Sequence, residues 1–233
     1  MRLLVLLLWS VVAFVAEASD RVFRIGVEMP PQELSAPAWQ QIRNIFQQAN
    51  YRLEWVYLPG NPSRLLRMLE LGSIDVLPEG SIRPEREPYT LFSKPYRMET
   101  TVFLARKEKA SQLQIHRLQD ILDNRWRVID ADDGWFGAEW QALRPQLVKA
   151  ELTLPARDPE TAIRLIMLDR ADLLITTDAW TAMMDMEQRG LTTLPYIVNE
   201  EPVHLMFSKM TVDQEEVDHI NKAIQALSDS QHP

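Results

Sequence analysis

Two stretches far apart in this chain spell the same local structure. RMLELGSIDVL runs from Arg67 to Leu77, and RLIMLDRADLL runs from Arg164 to Leu174. In each, a helical run ends, the chain turns once, and an aspartate, Asp75 or Asp172, opens a short apolar strand. Gly72 marks the turn in the first copy and Asp169 in the second, both residue types that tolerate left-handed backbone. A helix delivered directly into a buried strand requires a sheet with helices packed on it. The same delivery in both halves predicts an α/β protein of two lobes of similar design.

The flanking sequence extends the pattern. Phe23 to Glu28 reads as a strand that Met29-Pro30-Pro31 ends. Trp39, Ile42, Ile45, Phe46 and Ala49 recur at helical spacing before a strand from Tyr51 to Tyr57. Asn61-Pro62-Ser63 starts a helix carrying Leu65, Leu66 and Leu69 inward, and Asp158-Pro159 starts its counterpart with Ala162, Ile163 and Ile166. Thr100 to Arg106 reads as a strand leaving the first lobe, and Val203 to Ser208 as one returning. A terminal amphipathic helix through Val217, Ile220, Ile224 and Leu227 follows. A chain that crosses and returns makes a two-strand hinge, with the ligand expected in the cleft between lobes.

Composition narrows the chemistry. Acidic residues outnumber basic ones, 33 to 25, for a formal charge of −8. Nucleic acid needs the opposite, a basic face, and is excluded as a partner. The absence of cysteine removes disulfides, thiolate metal sites and cysteine nucleophiles. No GxGxxG or GxxxxGK(S/T) phosphate cradle can be written, and neither GxSxG nor HExxH occurs. His116, His204, His219 and His232 are scattered without metal spacing. The expectation is a protein without metal or cofactor that is not an enzyme, a carboxylate pair being the one enzymatic reading left open.

At the N-terminus, Leu3 to Val15 is an almost unbroken apolar run behind Arg2, and Ala16-Glu17-Ala18 offers small residues for signal peptidase. The run falls short of the about 20 apolar residues of a membrane span. Residues 1–18 are therefore read as a cleaved signal peptide, against the alternative of an anchor or buried core helix, and the remainder as a soluble periplasmic protein.

The run from Gly72 to Tyr96, GSIDVLPEGSIRPEREPYTLFSKPY, is the most specific in the chain. It closely resembles the family 3 periplasmic solute-binding proteins, the amino-acid-binding components of ABC importers. There, a G-x-hydrophobic-D strand precedes a loop with an E/K-R pair and then an F-S-x-P-Y run. Arg24 to Glu28, the strand near Val102 and the ending Leu205 with Ile220-Asn221-Lys222-Ala223 match in order. The resemblance implies a type II periplasmic-binding fold with a two-strand hinge. Lobe 1 would comprise residues 19–100 and 206–233, and lobe 2 residues 101–205. It further implies a monomer that closes on a small polar ligand, amino-acid-like or cationic, and delivers it to a membrane permease of an ABC importer. An orphan sensory or regulatory protein on the same fold is the alternative, and a periplasmic enzyme on it a third reading.

By family position, Arg86 matches the arginine that clamps a ligand α-carboxylate, a role suited to a guanidinium fork. Read without the family, it is a surface partner for Glu79, Glu85 or Glu87. Ser81 matches a hydroxyl contact in the same loop. Glu28 matches an acidic group at the end of the first strand, able to pair with a ligand ammonium. The acidic contact of the second lobe falls on Thr177, or on Asp178 if the loop slips by one. Glu79 either takes a cationic group of the ligand or neutralises Arg86. Trp135 and Phe136 belong either to a cleft wall or to the core. Asp130, Asp132 and Asp133 read as a polar turn, without the full calcium-loop pattern. Two stretches depart from the family. Pro37-Ala38-Trp39-Gln40-Gln41-Ile42 stands where a G-F/Y-D-hydrophobic-D signature is usual, and the acidic, aromatic Asp130 to Trp135 replaces a glycine- and hydroxyl-rich loop.

Overall fold

The computed structural model describes residues 21–28, 37–59, 62–130, 134–156 and 158–231. The expected signal peptide at 1–18, the Asn61 helix cap, Asp132 and Asp133 lie outside the described residues. Strands and helices alternate through the first lobe as β1 (Val22–Val27), α1 (Pro37–Gln48), β2 (Arg52–Tyr57), α2 (Pro62–Glu70), β3 (Val76–Gly80) and β4 (Thr90–Phe92). β5 (Arg97–Arg106) then crosses to the second lobe. That lobe holds α3 (Gln119–Asp123), β6 (Val128–Asp130), α4 (Ala138–Lys149), β7 (Thr153–Pro155), α5 (Pro159–Met167), β8 (Leu173–Thr177) and α6 (Asp178–Met183). β9 (Leu191–Ser208) returns, and α7 (Gln214–Gln231) packs on the first lobe.

The two lobes use one strand order. β2, β1 and β3 run parallel, and β3 pairs antiparallel with the last part of β9, which carries β4 on its other side. In the second lobe β7, β6 and β8 run parallel, β8 pairs antiparallel with β5, and β5 carries the first part of β9. Strands covered by helices on both faces need side chains that are apolar in both directions. Phe23, Ile25, Phe46, Phe207 and Ile220 accordingly meet in the core of the first lobe. Phe103, Trp140 and Leu173 fill one side of the second lobe, and Leu104, Ile129 and Ile166 the other.

The sequence repeat is also a repeat of hydrogen bonds. Asp75, 1% exposed, accepts from the backbone N–H of Arg24 at 2.8 Å and binds its guanidinium through both oxygens, at 3.0 and 2.7 Å. The same guanidinium donates to the Gly72 carbonyl at 2.9 Å, and the Asp75 N–H returns to the Arg24 carbonyl at 2.8 Å. In the second lobe Asp172 accepts from the Arg127 N–H at 2.8 Å, Arg127 donates to the Asp169 carbonyl at 2.9 Å, and the Asp172 N–H returns to the Arg127 carbonyl at 2.9 Å. Each staple joins the start of a first parallel strand to the turn before a third. The turn residues have the positive φ expected of them, 69° at Gly72 and 60° at Asp169. Burial alone would raise the Asp75 carboxyl, but hydrogen bonds from Arg24 hold it below its ordinary range.

The expected elements are present, with β5 starting at Arg97 rather than Thr100, β8 at Leu173 rather than Asp172, and two further shifts. β3 begins at Val76, since Asp75 is spent on the staple. β9 is 18 residues long, whereas only Val203 to Ser208 reads as a strand in the sequence. Pro195, Pro202 and the Glu200-Glu201 pair make the earlier part look like a loop. Pairing on one side only, with β5, lets that edge keep its prolines.

Because Asp75 is buried and doubly bonded, Asp75→Ala should cost about 2–3 kcal/mol of stability. Asp172, 20% exposed and 3.6 Å from the Arg127 Nε, should cost only about 1 kcal/mol when replaced by alanine. Urea unfolding of the two variants checks this order.

Candidate functional site

Ligand sites in parallel α/β sheets form beyond the carboxyl ends of the strands. Four such ends face one another here. Glu28 follows β1, Glu79 is the penultimate residue of β3, Trp135 lies five residues beyond β6, and Thr177 ends β8. The β5–β9 ladder runs beneath them from lobe to lobe, with Glu99 directly opposite Glu201.

Glu79 is aimed by its backbone. A register shift between Leu77 and Gly80 bulges β3 against β9, and Glu79 holds φ at 59°, a strained value for a residue other than glycine. The hydroxyl of the buried Tyr96 accepts the Glu79 N–H at 3.1 Å and fixes the bend. The next residue must be small, because a Cβ at Gly80 would lie 2.3 Å from the Met206 Cγ.

So aimed, the Glu79 carboxylate meets Arg97 at 2.8 Å. The same Arg97 Nη2 binds Glu99 at 2.6 Å, and Nη1 lies 4.0 Å from Asp178 at the start of α6. One hinge-strand guanidinium, 15% exposed, thus reaches acidic groups of both lobes. Burial works against its charge, but Glu79, Tyr96 and Glu99 outweigh it and hold Arg97 above its ordinary range. The carboxylates are less well served. Burial, then repulsion from Glu79, pushes Glu99 up to about 7 despite Arg97, and the same two causes push Glu28 up to about 7.

A second cluster gathers on Glu201. The Ser81 hydroxyl donates to its carboxylate at 2.5 Å, Arg83 Nη2 at 3.3 and 3.4 Å, and the Trp135 indole N–H at 3.3 Å. The Arg83 guanidinium carbon also lies 3.2 Å from the centre of the Trp135 ring. Trp135 is presented by backbone fit. Gly137, at φ 97°, backs onto Asn199 so closely that a Cβ would come within 2.7 Å of its side chain. Phe136 turns into the core beside Trp140. Of the neighbouring aromatics, Trp135 is at the cleft and Phe136 is packing.

Arg86 donates to the Ser81 carbonyl at 3.3 Å and touches the Met206 sulfur, and among the described residues it has no ion-pair partner. Neither surface pairing nor neutralisation by Glu79 is its arrangement, because Glu79 is engaged by Arg97. Glu28 likewise has no hydrogen bond or ion pair among the described residues. Thr177 uses its hydroxyl to cap α6, accepting the Trp180 N–H at 3.4 Å. Asp178 accepts from the Thr100 and Ala179 N–H groups at 3.3 and 2.8 Å. Asp130 is buried and binds Arg144 at 2.6 Å, a structural pair. Among the described residues no cluster of three or more His, Asp or Glu side chains could hold a metal.

Arg83, Arg97, Glu99 and Glu201 escape a reading of the sequence. Arg97 and Glu99 follow the F-S-x-P-Y run just ahead of the strand expected from Thr100, and their alternating charges were the available signal. Glu201 sits in the proline-flanked part of β9 that reads as loop.

The profile of the bacterial extracellular solute-binding proteins, family 3, matches residues 39–232. The chain belongs to this family. No curated protein matches its sequence. The solute-binding protein is similar in fold to the arginine-bound form of a truncated ArgBP from T. maritima, at 17% identity and a TM-score of 0.67 over 88% of this chain and 96% of that one. It is also similar to the GluR0 ligand-binding core from Nostoc punctiforme in complex with L-glutamate, at 16% identity and TM-score 0.67 over 91% and 94%. A histidine kinase sensor domain with similarity to periplasmic binding proteins matches at 15% identity and TM-score 0.69 over 92% of both chains. The two-lobed fold expected from the sequence is thereby established, and with it a ligand-binding protein.

Two carboxyls at about 7, against an ordinary value of 4.5, make the folded solute-binding protein hold protons that the unfolded chain releases. These groups therefore favour the folded state near pH 5, and their contribution is lost as pH rises through about 7. The thermal midpoint should fall from about pH 5 to about pH 8, and Glu99→Gln should flatten that slope. Thermal unfolding across this range, for both proteins, measures it.

Proposed function

We propose that this solute-binding protein is an exported, periplasmic monomer that captures a small polar ligand, amino-acid-like or cationic, between its lobes by hinge closure and serves ABC-type uptake. The supporting observation is that Arg86 and Glu28 lack ion-pair partners among the described residues, on the loop after β3 and at the end of the adjacent β1. A half-buried cation and a half-buried anion left without ion-pair partners carry a desolvation cost, and a ligand carrying both charges relieves both. Arg86 takes the carboxylate through its fork, while Glu28, in the field of Glu79, takes the ammonium. Trp135, Thr177 and Asp178 close over the ligand from the second lobe. Closure is driven by the ligand's greater affinity for the closed state, in which both lobes touch it. The arginine-bound ArgBP and glutamate-bound GluR0 core support an amino-acid-like ligand. The sensor-domain likeness supports a second reading, in which the same closure signals rather than delivers.

A thermal-shift screen of L-arginine, L-lysine, L-glutamate and putrescine tests the ligand class. A ligand at one hundred times its Kd should stabilise the protein by about 2.7 kcal/mol. Arg86→Ala should cost an amino-acid ligand about 1.5–3 kcal/mol of affinity, and Glu28→Gln should weaken it while abolishing proton uptake or release on binding near pH 7. Unchanged affinity in Arg86→Ala rejects the clamp. A permease that stimulates release, set against a signalling partner, separates uptake from sensing.

A further inference from the structure

The guanidinium of Arg83 is held like a bound ligand. It comes from the first lobe, its central carbon lies over the Trp135 ring of the second lobe, 3.2 Å from the ring centre, and it is flanked by the hinge carboxylate Glu201. An aromatic face with a carboxylate at its edge is a general solution for holding a planar cation. We propose that Trp135 and Glu201 form a cation-binding box, occupied in the free protein by Arg83, and that the guanidinium or ammonium group of an incoming ligand binds there by displacing Arg83. This proposal does not depend on the roles given to Arg86 and Glu28.

Three features show that Arg83 is an exchangeable occupant. Its contacts with Glu201, 3.3 and 3.4 Å, are longer than the roughly 2.7–2.9 Å of a well-made charged hydrogen bond. Its Nε is buried with no hydrogen-bond partner among the described residues, so the pose leaves one of its donors unsatisfied there. Desolvation first, and then the nearby Arg86, work against its charge, with Glu201 as the counterweight. A small cation carried by a free ligand could approach Glu201 at full hydrogen-bond length, with Ser81 already fixing the carboxylate. Arg83 reaches the box from the first lobe, so its contacts tie the lobes together. Any ligand reaching the box competes with this internal tie, which lowers its apparent affinity by the fraction of molecules in which the box is free.

Methylguanidinium tests the proposal on the full chain. It has no carboxylate, so it probes the box and leaves the Arg86 reading untouched. Binding is followed by thermal shift and by tryptophan fluorescence, with Trp135→Phe as the blank for the other indoles. In Arg83→Ala, methylguanidinium should bind saturably at millimolar concentration, about tenfold or more tighter than in the wild type. It should also restore part of the lost thermal stability and of the compactness measured by small-angle X-ray scattering. The neutral isostere methylurea should do none of this, and the Arg83→Ala, Glu201→Gln double variant should not respond. If Arg83→Ala does not fold, Arg83→Lys, which lacks the planar fork, carries the same comparison. Equal binding to wild type, single and double variants overturns the proposal, as does no saturable binding to any of them, or rescue by methylurea.

Discussion

Residues 97–106 and 191–203 form one antiparallel ladder that belongs to both lobes. It fixes their spacing, and it also loads the hinge with like charges. Glu99 faces Glu201 across the ladder and Glu200 is next in line, where opposed carboxylates repel. The cations around the cleft are arranged to answer this. Arg97 sits on the same face of β5 as Glu99 and gathers Glu79 with it, while Arg83 reaches in from the loop after β3 toward Glu201. Arg97 is held firmly at the hinge and Arg83 loosely, and the third, Arg86, is left for something else. The division of labour among three neighbouring arginines follows from the charge pattern of the ladder rather than from the loop that carries two of them.

Much of the fold is legible in the chain because it rests on local grammar. The Gly72 and Asp169 turns, the proline-started α5 capped by Asp158, and the apolar runs of β1 and β8 each announce themselves within a few residues. The equivalence of Asp75 and Asp172 is visible as spacing, although the bonds that make it a staple, to Arg24 and Arg127, join residues distant in sequence. The first part of β9 is hidden because its partner is remote and its composition is that of a loop. Its strand character comes entirely from β5.

The candidate site divides in the same way. Ser81, Glu28 and Glu79 stand at or beside strand ends, and Arg86 and Trp135 on the loops beyond them. The family resemblance, rather than the alternation of strands and helices, is what singles out Arg86, Ser81 and Glu28 in the sequence. What each carboxylate pairs with is a three-dimensional fact. Glu79 is in sequence a neighbour of Arg83 and Arg86, yet a bulge and a left-handed φ turn it toward Arg97. Thr177 and Asp178, the alternatives for a second-lobe ligand contact in the sequence, begin α6 and hold it to β5.

The placement of β9 has a consequence in time. Its final segment slots between β3 and β4, so the first lobe has a gap in the middle of its sheet until the last part of the chain arrives. α7, which covers Phe23, Phe46 and Phe207, arrives later still. The sheet of the second lobe, by contrast, is complete once the beginning of β9 has been made. In chain order, the second lobe therefore has all its strands before β3 and β4 gain the strand that joins them. Until that segment is in place, β1 to β4 stay an unfinished sheet with apolar surface exposed. The lobe that is first in the sequence is the last to become a folded object.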